Sequence, residues 1–151
     1  MKKNILIVAF ALLFIVNAKA QKVSSDNVPV AVKEALKKTY PIVEKLEWEL
    51  DEENYQADFL LNNREKFVKY DNQGNWIQTE SPITMISLPK AVRKSINKKY
   101  NGYNINESLK LEKPSGTFYL IELSKSNLLY DVTLTDKGVF TKQEQQGKAK
   151  E

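Results

Sequence analysis

Apolar residues fall at every fourth position in two stretches of this chain, sixty residues apart, and at every second position through much of the rest. Val28, Val32 and Leu36 make the first stripe, and Leu88, Val92 and Ile96 make the second. A spacing near the helical period lines one face of an amphipathic helix, so helices are predicted over 28–40 and 88–100. Pro29 and Pro89 fall in the predicted first turns, where a missing N–H is tolerated. Asn27 and Ser87 stand where a side chain can cap the first free N–H groups. Pro41 disfavours helix at Tyr40, and Asn101-Gly102 offers a left-handed stop after Tyr100.

After each helix the period changes to two. Leu46, Trp48 and Leu50 alternate with Glu47, Glu49 and Asp51, the pattern of a half-buried strand with one acidic face. Tyr55, Ala57, Phe59 and Leu61 are the apolar phase of the next strand. Strands are predicted over 54–61 and 64–70, joined by the tight-turn pair Asn62-Asn63. Asp71-Asn72-Gln73-Gly74 makes a second turn into 75–80. The later half follows the same plan over 105–112, 117–124, 128–134 and 139–144, with a hairpin turn at Lys113-Pro114-Ser115-Gly116. Pro29 aligns with Pro89, Tyr40 with Tyr100, Tyr55 with Tyr119, Gly74 with Gly138, Trp76 with Phe140 and Glu80 with Glu144. The fold class this implies is α+β, a tandem repeat of two helix-plus-four-stranded antiparallel sheet units. The units occupy 21–80 and 87–144, with a linker at 81–86 and a polar tail at 145–151.

The first twenty residues have another character. Lys2 and Lys3 precede an apolar run over 5–16, and Ala18-Lys19-Ala20 has small residues around a cleavage point. This is the layout of a secretory signal peptide cut near Ala20, and the run is too short to span a bilayer. The expected location is periplasmic or secreted, with no stable membrane anchor after cleavage. Losing Lys2, Lys3 and Lys19 takes the formal charge from +4 to about +1. The remaining basic clusters, Lys37-Lys38 and Arg93-Lys94 with Lys98-Lys99, read as solvated helix faces and not as a nucleic-acid surface.

Candidate chemistry is sparse. With no cysteine and no histidine, disulfides and cysteine or serine–histidine nucleophiles are excluded. Ser124-Lys125-Ser126 is read as turn chemistry, not as a catalytic pair. Asp71-Asn72-Gln73-Gly74-Asn75 lacks the alternating ligands of a calcium loop. The carboxylates Glu47, Glu49 and Asp51 read as a solvated strand face. No catalytic residue, metal or cofactor is therefore expected. Trp76 is in phase with Gln78 and Glu80, which places it on a more open face, and Tyr70 directly precedes a turn. Exposed aromatics anchor protein partners, so Trp76, Tyr70, Glu47, Glu49 and Asp51 are the expected partner-binding residues.

Val28-Pro29-x-Ala31-Val32 with Tyr40-Pro41, then Trp48, Tyr55-x-Ala57-x-Phe59, Tyr70-Asp71-x-x-Gly74 and Trp76 resemble the PepSY-like, beta-lactamase-inhibitor-like family of secreted Bacteroidetes proteins. Leu88-Pro89 and Tyr119-x-Ile121-x-Leu123 carry the resemblance through the later half. It implies two units with their sheets side by side. In the beta-lactamase inhibitor protein a concave sheet surface grips an enzyme, and the broader PepSY group is associated with peptidase inhibition or sensing at the envelope. That inhibitor protein uses disulfides, which this chain lacks, and no functional residue carries over. The resulting expectation is a non-enzymatic periplasmic protein that engages an envelope protein or peptide through an open sheet face. The alternative is a small-ligand carrier with a roomy apolar pocket between helix and sheet.

Overall fold

The structure is a computed structural model that describes residues 21–146, so the leader at 1–20 and residues 147–151 lie outside the described residues. Helix α1 is Val30–Thr39 and helix α2 is Lys90–Lys99. Both start two residues later than the sequence pattern suggests, at 30 against 28 and at 90 against 88. Pro29 and Pro89 are the N-cap residues themselves, in extended conformation, and neither helix has a side-chain cap. The Pro29 carbonyl accepts from the N–H groups of Val32 and Lys33, at 3.1 and 3.2 Å. Asn27 and Ser87 do not cap these helices. They close short 3-10 turns, Ser25–Asn27 and Met85–Ser87, that precede each proline. Proline disfavours helical backbone at the residue before it, and Val28 and Leu88 are extended, so neither helix can begin earlier. The C-termini follow expectation: the Tyr40 and Tyr100 N–H groups close the last turns on Leu36 and Ile96, and Gly102 is left-handed at φ +78°.

Nine strands are described: β1 (Gln21–Lys22), β2 (Glu44–Asp51), β3 (Asn54–Leu61), β4 (Arg64–Tyr70), β5 (Trp76–Pro82), β6 (Asn104–Lys113), β7 (Gly116–Lys125), β8 (Leu128–Thr135) and β9 (Phe140–Gln146). They form one antiparallel sheet in chain order. The alternation did not reveal β1, which pairs with β2 through Gln21–Leu50 and Lys22–Glu49. Ser81 and Pro82 extend β5 and pair with Lys110 and Leu109 of β6, so the sheet is continuous across the middle of the chain. Gln145 and Gln146 belong to β9 and pair with Tyr130 and Leu129.

Both helices pack on the same face of the sheet. Val28, Val32 and Leu36 bury against Trp48, Ala57, Phe59, Val68 and Tyr70. Leu88, Val92 and Ile96 bury against Tyr119, Ile121, Leu123, Val132 and Leu134. Each fully buried aliphatic side chain contributes roughly 1.5–3 kcal/mol, and with no disulfide these two layers hold the fold. The turn glycines position the helices. A Cβ on Gly74 would lie 2.6 Å from the Ala31 carbonyl oxygen, and one on Gly138 would lie 2.5 Å from that of Ala91. Bare glycine backbone thus lets the first turn of each helix rest on the turn before β5 or β9.

Asn62 and Asn63 both have positive φ, 53° and 60°, in the two-residue hairpin between β3 and β4. That is the geometry asparagine and glycine tolerate best. Asn63→Ala is expected to cost about 1 kcal/mol in denaturant unfolding, whereas Asn63→Gly should cost nothing measurable.

Candidate functional site

Residues opposite one another in an antiparallel pair share a sheet face, so the strand register assigns every side chain to the helix-covered face or to the helix-free one. Two irregularities break the simple alternation. In β2 the register shifts between Glu44 and Glu47, with Lys45 at φ 53°. Leu46 therefore leaves the core phase and is exposed, while Trp48 is buried as expected. In β5 the register shifts between Lys69–Gln78 and Tyr70–Trp76. A bulge inserts one unpaired residue, which moves Trp76 out of phase with Gln78 and onto the helix-covered side.

Trp76 and Tyr70 are thus not on the open face. Trp76 is 40 % exposed, but its indole N–H donates to the Thr79 hydroxyl, 2.9 Å away, and Thr79 is buried beside Val68. Tyr70 is 3 % exposed and belongs to the core beneath α1. Burial, with Tyr40 nearby, pushes its hydroxyl up to about 12. The same bulge in β9 brings Phe140, the counterpart of Trp76, against the α2 core.

The helix-free face does carry Glu47, Glu49 and Asp51. Glu47 pairs with Lys22 of β1 at 2.7 Å, Asp51 pairs with Lys69 of β4 at 2.6 Å, and Glu49 is half-buried. Cross-strand register adds what the chain order hides. Glu47, Asp58, Phe67 and Glu80 lie directly opposite one another on β2, β3, β4 and β5. Glu107, Glu122, Asp131 and Glu144 make the corresponding row on β6, β7, β8 and β9. Between the rows lies an apolar floor: Leu109, Leu111 and Leu120 are buried on this face without any helix above them, with Phe118 packed against them. Leu111 stands opposite both Glu80 and Phe118. Leu60, Phe67 and Phe118 are half-buried on the same side.

These rows set like charges side by side, which destabilises a sheet. Burial, with neighbouring carboxylates adding to it at Asp58, Glu107 and Asp131, makes four of these acids hold their protons. Burial pushes Asp58 up to about 6, and Glu49, Glu47 and Glu80 add to the shift against a hydrogen bond from Gln56. Burial raises Glu80, opposed by Lys69 and Lys113. Glu107 rises through burial and Glu122, and Asp131 through burial together with Glu122 and Glu144. All four raised carboxyls lie on the helix-free face. A raised folded-state pKa means the native protein binds the proton more tightly than the unfolded chain. For Asp58 nothing is lost below pH 4, stability falls as pH rises towards 6, and the loss is complete above it. Asp58→Asn should therefore stabilise the protein at pH 7.5 by about 1–2 kcal/mol, discounting for partial exposure, and have little effect at pH 3.5. Urea unfolding at the two pH values checks this.

The other candidates resolve into structural roles. The Ser124 hydroxyl donates to the Asn106 side-chain oxygen at 2.8 Å, while the Lys125 ammonium lies over the Tyr103 ring, 5.4 Å from its centroid. Both Asp71 oxygens are taken by its own turn, one by the N–H groups of Gln73 and Asn75 and the other by the Asn75 amide. Those bonds hold its carboxyl below the usual range. Among the described residues no group of three or more acidic side chains is arranged to hold a metal. A cavity of about 320 Å³ beside the end of α2 is lined by Lys99, Tyr100, Tyr103, Tyr130 and Gln143, a more polar lining than an apolar carrier pocket has. No helix among the described residues is long and apolar enough to cross a membrane.

A nine-stranded antiparallel sheet with two helices on one face has the architecture of the beta-lactamase-inhibitor-like proteins. The chain belongs to the family described as "Putative beta-lactamase-inhibitor-like, PepSY-like", whose model matches it twice, over residues 14–67 and 53–142. A DUF2874 family protein from Bacteroides uniformis is similar at 27 % identity, covering 78 % of this chain and 88 % of that one with a TM-score of 0.73. A BLIP-like protein from Bacteroides fragilis is similar at 27 % identity, with coverage of 80 % and 87 % and a TM-score of 0.70. A Bacteroides eggerthii protein described as "putative periplasmic" shares the fold at 24 % identity, with coverage of 78 % and 88 % and a TM-score of 0.73. No curated protein matches the chain.

Proposed function

We propose that this chain is a non-enzymatic periplasmic binding protein, built as two tandem helix-plus-four-strand units, that holds a protein or peptide partner on its helix-free sheet face. The observation carrying this reading is the pair of in-register acidic rows flanking a leucine floor on the face without helices. Such a face combines apolar contact area with charges that a partner can neutralise. Glu47, Glu49 and Asp51 belong to this surface, together with Asp58, Glu80, Phe67 and Phe118. The Bacteroides eggerthii relative is described as "putative periplasmic" and the Bacteroides fragilis one as BLIP-like, which agrees with a binding role in the cell envelope.

Photo-crosslinking tests the assignment. A photoreactive amino acid is placed at Phe67 or Phe118 on the helix-free face, and at Lys37 or Lys94 on the exposed side of the helices. Irradiation in the periplasm of the native host should give one discrete crosslinked species from the first pair and none from the second. The same species from both pairs, or crosslinks from the helix side alone, would contradict the reading.

A further inference from the structure

The second acidic row is the more demanding of the two. Glu107, Glu122, Asp131 and Glu144 stand on four successive strands with no residue of another type between them. Compensation by charge is partial, with Lys142 also opposing the shift at Asp131. Glu122 accepts from the Asn106 amide at 2.8 Å and Asp131 from the Gln146 amide at 2.8 Å, both neutral donors, whereas Glu144 pairs with Lys142 at 3.0 Å. Like charges placed directly opposite one another work against sheet pairing. A fold that accepts this arrangement over four strands presents a linear strip of negative potential beside the buried leucines Leu109 and Leu120.

The spacing of the strip selects what fits it. Neighbouring strands lie about 4.8 Å apart, so the row is about 14 Å long. One turn of α-helix rises about 5.4 Å, and residues three or four apart on one helix face keep nearly that spacing. An extended strand presents same-side residues about 6.8 Å apart and falls out of step after two positions. We propose that the row Glu107, Glu122, Asp131 and Glu144 is the docking strip for a basic amphipathic helix of a partner protein, laid across the strands so that one Lys or Arg per turn meets each carboxylate. The apolar edge of that helix lies along Leu109 and Leu120, two positions from Glu107 and Glu122 on β6 and β7. This rests on the reading of the helix-free face as the docking surface and adds the chemistry of the partner.

A divalent cation is the poorer occupant, because no set of three acids among the described residues is gathered closely enough to hold one. A second copy of this chain is also poorer. Its α2 exposes Lys90, Lys94 and Lys98, but α2 lies on the opposite side of the sheet from the row, so this contact is head-to-tail and gives a ring or a growing chain, not a two-fold dimer.

The test uses two stapled helical peptides of identical composition. One carries its lysines along a single face beside a leucine edge, and its isomer has them spread around the helix. Each is titrated into the labelled full chain at low salt and followed by backbone amide NMR. The aligned peptide should bind at least about tenfold more tightly than its isomer, with shifts confined to β6–β9. The isosteric pair Glu122→Gln with Asp131→Asn should lose at least about tenfold in affinity while keeping or raising the melting temperature. If both peptides bind equally on the helix-free face, or the double variant binds as well as the parent, the basic-helix inference falls and the docking face stands. Shifts centred on α1 and α2 would remove both. Absence of binding by either peptide overturns the inference. So does concentration-dependent sedimentation of the chain alone that disappears in the double variant, because the strip then serves a second copy.

Discussion

Gly138→Ala is expected to lower stability by about 3 kcal/mol. Two contributions add at this position. Its φ of +77° disfavours any side chain by about 1–2 kcal/mol. The new Cβ would also sit 2.5 Å from the Ala91 carbonyl oxygen and 2.7 Å from the Ser95 hydroxyl, so the start of α2 must move off its turn. Gly102 separates the two contributions. It has nearly the same φ, +78°, and its Cβ would meet nothing closer than the flexible Lys125 ammonium at 3.3 Å. Gly102→Ala should therefore cost only the backbone share. Thermal unfolding should show a drop of roughly 10 °C for Gly138→Ala and about half that for Gly102→Ala. Equal losses would mean that the close approach of helix and turn does not matter.

Leu123→Ala should be comparably damaging, at about 3–4 kcal/mol. Leu123 is fully buried between the sheet and α2, in a cluster that includes Val92, Ile96 and Val132. Leu120 lies on the same strand, on the helix-free face, and is 4 % exposed. Its cluster is small and nothing folds over it, so a cavity there can collapse or fill with water. Leu120→Ala should cost nearer 2 kcal/mol. The contrast separates a residue that holds the fold from one that floors a docking surface. Denaturant midpoints for the two variants, read at equal m-value, measure it directly.

The helices, most strands and the turn glycines were legible because each is written in local pattern, whereas the packing of Gly74 and Gly138 against the helices was not. Val32 and Leu36 lie where the four-residue stripe puts them, and Asn62-Asn63 forms the hairpin its residue types favour. The misplacement of Leu46 and that of Trp76 share one cause. A bulge carries no local signature, so the alternation through Leu46 and through Trp76 was read one position past the point where register slips. That slip took Trp76 away from the open face, and Tyr70, which the turn position suggested was accessible, completes the α1 core. The acidic rows were missed for a related reason. Glu47 and its neighbours stand out as a run, but Asp58, Glu80, Glu122 and Asp131 are scattered in sequence and meet only through strand pairing. The signal that finds them is the alignment of the two halves, in which Asp58 falls on Glu122 as Glu80 falls on Glu144.

Everything proposed for this protein depends on crowded carboxylates sharing the side of the sheet that no helix covers. Carbon-detected NMR titration of every Asp and Glu side chain in the intact protein measures their burial and crowding together, residue by residue. Asp58 should titrate near 6, with Glu80, Glu107 and Asp131 also above their ordinary range and Asp71 below it. Ordinary midpoints at Asp58, Glu80, Glu107 and Asp131 would mean that the rows do not assemble, and a partner would have no charged strip to recognise.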